Sequence, residues 1–464
     1  MNRRSFFSAL AAGGAGVLLP EKLRAGNVPA RPARADDALL DDLSRRSFRF
    51  FWEQSDPHTG IVRGRARTDG SEYAQERREI GTTGGTGFAL TALCIGAERK
   101  WVTREEARER ARATLRAYAD GPVKNEHGWF YHWLNVKTGA RTGAAYDTAQ
   151  FGAREGSKSN RPFSEVSTSD STWLVAGALT ARQYFREDGE IRRLATQIYE
   201  RVDYRWMCDN KPTLSHGWMP ETGHLPAHYD KYCQLACMVL LGLAAPAAAH
   251  ALPAASWYAW ERNPNEYRGY KYVGTSVLWT YQWPFCWFDL RGRREARGSR
   301  VDYFENSAIA TRAHRAFCTG ELAAKFPGCY TENLWGITSS ESAKGYKAWG
   351  GPPARSSIDG SVAPCAAIGS LMFTPEICLP VLRTMREWFG EKLLGRYGFA
   401  DAFHAGNGWI CPDVLAIDVG ITLLAIENHR SGNVWRWFMA NPEARRALEL
   451  ADLRPVYFRF ALPA

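Results

Sequence analysis

The segment VLAIDVGITLLAIENHRSG, residues 414–432, sets Asp418 among Ile, Leu, Val and Ala. An ionised carboxylate in apolar surroundings costs several kcal/mol or more unless it is paired or hydrogen-bonded. Two uses would justify one there. As a general base it would take a proton from water; as an N-cap it would hold the amide hydrogens of a helix beginning at Val419. Other reactive residue types are less well arranged. His224 and His228 are four apart, but Pro226 between them opposes a helix and no H-E-x-x-H occurs, so no metal site is expected. The glycine-rich GTTGGTG at 81–87 lacks the Lys-Ser/Thr of a phosphate-binding loop and frames a loop instead.

Aromatic residues carry the other chemical signal. The chain has 18 Trp and 19 Tyr, and many crowd segments such as GWFYHW, SWYAWERNPNEYRGYKY, LWTYQWPFCWFD and GYKAWGGPP. Flat rings beside Asn, Asp, Glu and Gln make stacking platforms with hydrogen-bonding rims, which a sugar ring requires. A large aromatic core is the competing use. Trp129, Trp133, Trp335, Trp349 and Trp409 are the stacking candidates.

These side chains need a scaffold, and the pattern between the aromatic segments is mainly helical. In ALLDDLSRRSFRFFWEQ, Leu40, Leu43, Phe48 and Phe51 fall within one half of a helix surface. GTGFALTALCIGAERKW predicts a second helix closing near Trp101. TREEARERARATLRAYAD predicts a third, with Thr103 as N-cap and Glu106 as its capping-box partner. GWFYHWLNVKTGAR then breaks the period as a strand or aromatic loop, and STSDSTWLVAGALTARQYF resumes it. Helix and Gly/Trp/Tyr/Pro-rich loop alternate to the end of the chain, roughly ten to twelve helices in all, without an identical repeat. This predicts an all-α fold, a closed double ring or (α/α)6 toroid, as one domain over 36–464.

The chain of 464 residues carries a formal net charge of +10. Its first twenty residues, MNRRSFFSALAAGGAGVLLP, put Arg3-Arg4 before Phe6-Phe7 and a short run of small apolar residues. They read as a twin-arginine export signal, with residues 1–35 as signal and linker, and predict a periplasmic or secreted protein. An N-terminal anchor helix is the alternative. Roughly half of the positive excess lies in that segment. The remainder shows no Lys/Arg cluster interleaved with aromatics, so no nucleic-acid track is expected. No later apolar run reaches the length of a membrane span. Ten cysteines in apolar contexts, with no C-x-x-C, predict buried thiols and at most one or two disulfides. A monomer without cofactor is expected.

A family resemblance emerges from FRFFWEQSDPHTGIV, GTGFALTALCIGAERKWVTREEARERARATLR, GWFYHWLNVKTGAR, EVSTSDSTWLVAGALTARQYF, VDYFENSAIATRAHRAFC, LWGITSSESAKGYKAWGGPP, DGSVAPCAAIGSL, YGFADAFH and IDVGITLLAIENHRSG. In this order they resemble the family labelled "putative glucoamylase", which includes the endo-β-1,2-glucanases of glycoside hydrolase family 144. The resemblance runs across nearly the whole chain after the signal. It implies an (α/α)6 barrel that cleaves a glucan with inversion and without a metal.

Such chemistry needs one carboxyl to protonate the departing oxygen and another to activate water, roughly 6.5 to 9.5 Å apart. By the resemblance, Asp418 in I-D-x-G is the base. The family's W-x-x-Y-x-E reads Tyr229, Tyr232 and Gln234 here, and a glutamine amide cannot deliver a proton at neutral pH. A second family pair, D-x-x-E, aligns with Ser167 and Asp170. The candidate acids are therefore Asp170, Asp230 and Glu165, against a helix cap, a solvated turn residue and a loop ion pair respectively. Tyr232 and Gln234, with Glu305 and Asn306 of YFENS, are expected near substrate hydroxyls; an inter-helix network is the other use of Glu305 and Asn306. Asp401 and Glu427-Asn428 are expected to be structural.

Three functions follow. The first is an exported, endo-acting, inverting glycoside hydrolase on a β-glucan, with β-1,2-glucan as the leading substrate and partner. The second is a transglycosylase or an exo-acting glucoamylase-like enzyme on the same barrel. The third is a non-hydrolytic glucan-binding protein, for which Gln234 is the best support.

Overall fold

The computed structural model describes residues 34–73, 78–142, 164–355 and 357–456, and the export signal expected at 1–35 falls almost entirely outside them. The described residues form one compact unit. Two kinds of helix build it. Thr83–Glu98 (α2), Thr168–Tyr184 (α4), Leu235–Leu243 (α6), Pro284–Trp287 (α7), Pro364–Ile368 (α9) and Ala416–Ser431 (α11) are buried on nearly every side. Helices apolar around their whole circumference belong inside a fold. Arg34–Gln54 (α1), Arg104–Ala119 (α3), Gly189–Arg201 (α5), Tyr303–Phe317 (α8), Pro375–Phe389 (α10) and Pro442–Leu450 (α13) instead mix buried and exposed faces; a short helix, Asn433–Met439 (α12), links α11 to α13.

The buried set closes on itself. α2 packs on α4 and α11, α4 on α6, α6 on α7, and α7 and α9 on α11. The amphipathic set wraps it: α1 lies on α2 and α11, α3 on α2, α5 on α4, α13 on α6 and α10 on α9. This is the (α/α)6 toroid expected from the alternation of patterns. The α2–α4 crossing is close because both helices offer glycine there. A Cβ at Gly87 would stand 2.2 Å from the Trp173 carbonyl oxygen, and one at Gly177 2.1 Å from that of Gly87. At the centre, Trp287 Nε1–H donates to Thr91 Oγ1 at 3.0 Å. Asn428 Nδ2 donates to the Cys286 carbonyl at 3.0 Å, which makes Asn428 structural.

Short strands precede the inner helices and gather at one end of the ring. Ile80–Thr82 leads into α2 and pairs with Val62–Arg63 and Trp133–Asn135. Val166–Ser167 leads into α4 and pairs with Gly217–Met219. Asp413–Leu415 leads into α11 and pairs with Arg65–Arg67. The predicted capping box is present, with Thr103 and Glu106 each bonding the other's backbone amide. All ten cysteines are free, and among the described residues no helix is long and apolar enough to cross a membrane.

One boundary differs from expectation in a way that matters. α11 begins at Ala416, not Val419, and its cap residue is Leu415, which makes no side-chain cap bond. Asp418 therefore sits inside the first turn and is not an N-cap.

Candidate active site

Where the inner helices begin, the molecule opens into a cleft of about 760 Å³. Thr82, Ser169 and Asp170, Gln234, and Leu415 to Ile417 reach it from the starts of α2, α4, α6 and α11. Trp133, Trp173, Trp279, Trp283 and Trp349 supply its aromatic lining. Trp279 and Trp283 stand 3.9 Å apart between ring centroids, and Trp173 meets Trp283 edge-on at 4.0 Å. Helix N-termini carry partial positive charge, so this end of the ring favours carboxylates.

Asp170 is the carboxyl that lines the cleft. The Ser167 hydroxyl caps α4 through the Asp170 amide at 3.3 Å and donates to Asp170 Oδ2 at 2.5 Å. Its other oxygen, Oδ1, faces His132 Nε2 at 3.6 Å. His132 Nδ1 in turn meets Glu165 Oε1 at 3.0 Å, and the ring stacks on Trp133 at 4.3 Å. One imidazole thus links a buried carboxyl to a half-buried one. Burial raises the Asp170 pKa above the usual carboxylate value, while His132 and the Ser167 hydroxyl pull it back. A carboxyl of this kind holds its proton better than a free one, which suits a proton donor. Gln234 caps α6 in position only, since its side chain makes no cap bond, and it lines the same cleft.

Asp418 does not line the cleft. It borders a separate cavity of about 20 Å³ together with Asp401, Cys365 and Tyr397. Leu415 borders both spaces. The Cys365 thiol donates to Asp418 Oδ1 at 3.4 Å. Asp418 is also not a lone carboxylate, because Asp401 borders the same cavity, and Asp401 Oδ1 and Asp418 Oδ2 are both buried without a hydrogen-bond donor among the described groups. Burial raises the Asp418 pKa to about 6, against Asp401 and Cys365, which lower it; burial and the charge of Asp418 raise Asp401 well beyond the normal range.

The remaining sequence candidates divide by direction. Trp133 faces the cleft half-buried, whereas Trp349 is buried in its wall, with Nε1 donating to the Ser340 carbonyl at 3.2 Å. Trp129 and Trp335 are core residues without exposed surface, Trp129 bonding the Asp203 carbonyl at 2.8 Å. Trp409 lies in the hairpin Phe403–His404/Trp409–Ile410, outside the cleft lining. Tyr232 is buried and stacks on Tyr303 at 5.4 Å. Asp230 is exposed and borders another groove with Lys211, His216 and His228. Glu305 is exposed at a third groove, and Asn306 clamps the Val273 backbone at 2.7 and 2.9 Å. The cleft set missed from sequence is His132, Trp173, Trp279, Trp283 and Tyr346. His132 was within the aromatic segment GWFYHW, but nothing local tied it to Glu165 and Asp170.

With this geometry established, similarity to known proteins bears on its use. Residues 227–442 match the family model described as "Putative glucoamylase". Over that stretch the match is to the same family that the sequence motifs resemble. An exo β-1,2-glucooligosaccharide sophorohydrolase acting at the non-reducing end, from Parabacteroides distasonis, is 25% identical over 89% of this chain; the chain spans 58% of that relative's length. An endo-β-1,2-glucanase from Chitinophaga pinensis, solved with sophorotriose and glucose, superposes with a TM-score of 0.77 at 26% identity, covering 91% of this chain and 99% of that one. A structure from Bacteroides fragilis, described as a putative glucoamylase, matches with a TM-score of 0.77 at 29% identity over 92% of this chain and 100% of its own.

Proposed function

We propose that this protein is an exported glycoside hydrolase that cleaves β-1,2-linked glucan within the chain, with inversion, in the cleft at the mouth of the inner ring. The observation that carries this is the meeting of a tryptophan-lined cleft with the buried carboxyl of Asp170 and its His132–Glu165 link. The whole-length likeness to an endo-β-1,2-glucanase supports the substrate. A cleft of about 760 Å³ accommodates several sugar units.

In this mechanism the half-buried Trp133 and Trp279 stack sugar faces and hold the chain across the cleft. Asp170 gives its proton to the glycosidic oxygen as the bond breaks, and a proton taken up from solvent returns to it by way of His132, which Glu165 orients. The Gln234 amide, at the family's acid position, donates a hydrogen bond to the substrate but no proton. Asp418 takes the proton of the attacking water by relay across the Leu415 wall that its cavity shares with the cleft. A base that ionises near 6 is poised for this at neutral pH.

The test is incubation of the purified protein with β-1,2-glucan and, separately, with starch. Reducing ends, product lengths and the first-formed anomer by NMR are then read. New reducing ends from β-1,2-glucan, intermediate-length products and an inverted anomer are expected. Gln234 favours one rival, a glucan-binding protein without turnover. Saturable binding with no new reducing ends would establish that rival instead.

A further inference from the structure

The proposed hydrolase leaves Asp401 without a task, yet its surroundings are unusual. Asp401 Oδ2 accepts the Glu341 amide at 2.7 Å. Its Oδ1 and Asp418 Oδ2 find no donor among the described groups. Two carboxyl oxygens bond each other only when one of them carries a proton. Both side chains are buried at the edge of a cavity of about 20 Å³, enough for one water molecule by size.

We infer that Asp401 is a positioning residue for the reaction: it and Asp418 hold one proton between them beside this cavity, so that Asp418 stays the ionised partner, aimed at water. The inference rests on the proposed role of Asp418 as base. Two carboxylates in contact cannot both be ionised without strong repulsion, so the pair titrates as a unit. Asp401 is the partner that keeps the proton, because its burial is compounded by the charge of Asp418.

The titratable groups facing the pair fit this. They are the Cys365 thiol, the Tyr346 and Tyr397 phenols, Cys411 and Glu341. Burial raises Cys365 and Tyr346 far above neutrality, so both stay protonated. Glu341 is held by the Arg65 guanidinium at 2.8 Å, and Arg65 also grips Asp413 at 2.9 Å. Among the described residues no Lys, Arg or His forms an ion pair with Asp401 or Asp418. The proton balance is closed. The resting pair holds one proton and a single negative charge. Taking a proton from the attacking water leaves two protons and no charge, and one proton passes to solvent before the next turnover.

The test compares Asp401→Asn and Asp401→Ala by their rate–pH profiles on β-1,2-glucan and by infrared spectroscopy. An asparagine can accept from the Glu341 amide and donate to Asp418, but it has no proton to share. Asp401→Asn is expected to retain its plateau rate within a few-fold while its acidic limb moves by about one pH unit. Asp401→Ala leaves Asp418 unpaired and is expected to lose about 10²-fold or more in kcat/KM. In the wild type at neutral pH, infrared spectroscopy should show the carbonyl stretch of a buried protonated carboxyl that Asp401→Asn lacks. A purely structural Asp401 would lower the melting temperature in both variants without moving the acidic limb or that band, and this would overturn the inference. If the band disappears as expected but Asp418→Asn turns over normally, the shared proton stands and the base assignment fails.

Discussion

Gly84→Ala isolates the placement of Asp170 from its chemistry. Gly84 lies in the first turn of α2, and a Cβ there would stand 2.3 Å from Asp170 Oδ1 and 2.7 Å from Trp173 Cε3. Ordinary contact begins at 3.4 Å, so the carboxyl must retreat by about 1 Å. A displacement of about 1 Å in a reacting group costs about 10²-fold in rate. Overpacking costs about 1–3 kcal/mol, and the better helix propensity of alanine returns up to about 1 kcal/mol. The net loss of stability then lies between about 0 and 3 kcal/mol, small enough to leave the protein folded. Gly96→Ala serves as control. Its Cβ would meet the Phe48 ring at 2.2 Å, an overpacking of the same kind roughly 18 Å farther along the helix. Both variants should melt lower than wild type, but only Gly84→Ala should lose kcat on β-1,2-glucan, with KM little changed. Equal melting losses with unchanged kcat in both would refute the dependence of catalysis on Asp170's position.

Further outcomes follow from the same geometry. Asp418→Asn should abolish turnover and yet stabilise the fold at about pH 8. The carboxyl's pKa is raised from 3.8 to about 6, so its contribution to stability is fully present below 3.8 and is lost as pH rises through about 6. That displacement corresponds to about 3 kcal/mol at alkaline pH, and thermal melts should show the gap to wild type closing between about pH 6 and pH 4. In the wild type, kcat/KM should fall as pH drops through about 6, because the base becomes protonated. Trp279→Ala removes a half-buried stacking surface of the cleft and should raise KM for glucan by about 5- to 10-fold with a smaller effect on kcat, read by steady-state kinetics. Gln234→Glu restores a titratable group at the family's acid position; a rise in kcat would show that Asp170 serves as an imperfect substitute there, and an unchanged kcat that Asp170 is sufficient.

The helical ring was readable because it rests on local chemistry. Capping at Thr103 and Glu106, apolar periodicity in α1 and uniform burial of α2 and α4 are all encoded within one helix length. The Asp418 segment is legible as apolar, but α11 starts at Ala416, three residues before the expected Val419, since Ala416 and Ile417 suit a strand end as well as a helix start. What stayed hidden was direction and distant pairing. Trp129 and Trp133 share one aromatic segment, but Trp129 turns into the core against Tyr204 while Trp133 faces the cleft. The YFENS motif was recognised, yet Asn306 spends its amide on the Val273 hairpin backbone, a partner that no spacing rule marks. His132 needed Glu165 and Asp170 to acquire meaning, and the apparent isolation of Asp418 ended only with Asp401 folded against it.

The most direct measurement is the rate of reducing-end release from β-1,2-glucan by wild type, Asp170→Asn and Asp418→Asn, each verified as folded by circular dichroism. Turnover in the wild type and its loss by about 10²-fold or more in each variant is the predicted result. Wild-type rates in both variants, or glucan bound by the native protein but never cut, would contradict hydrolysis driven by these two carboxyls.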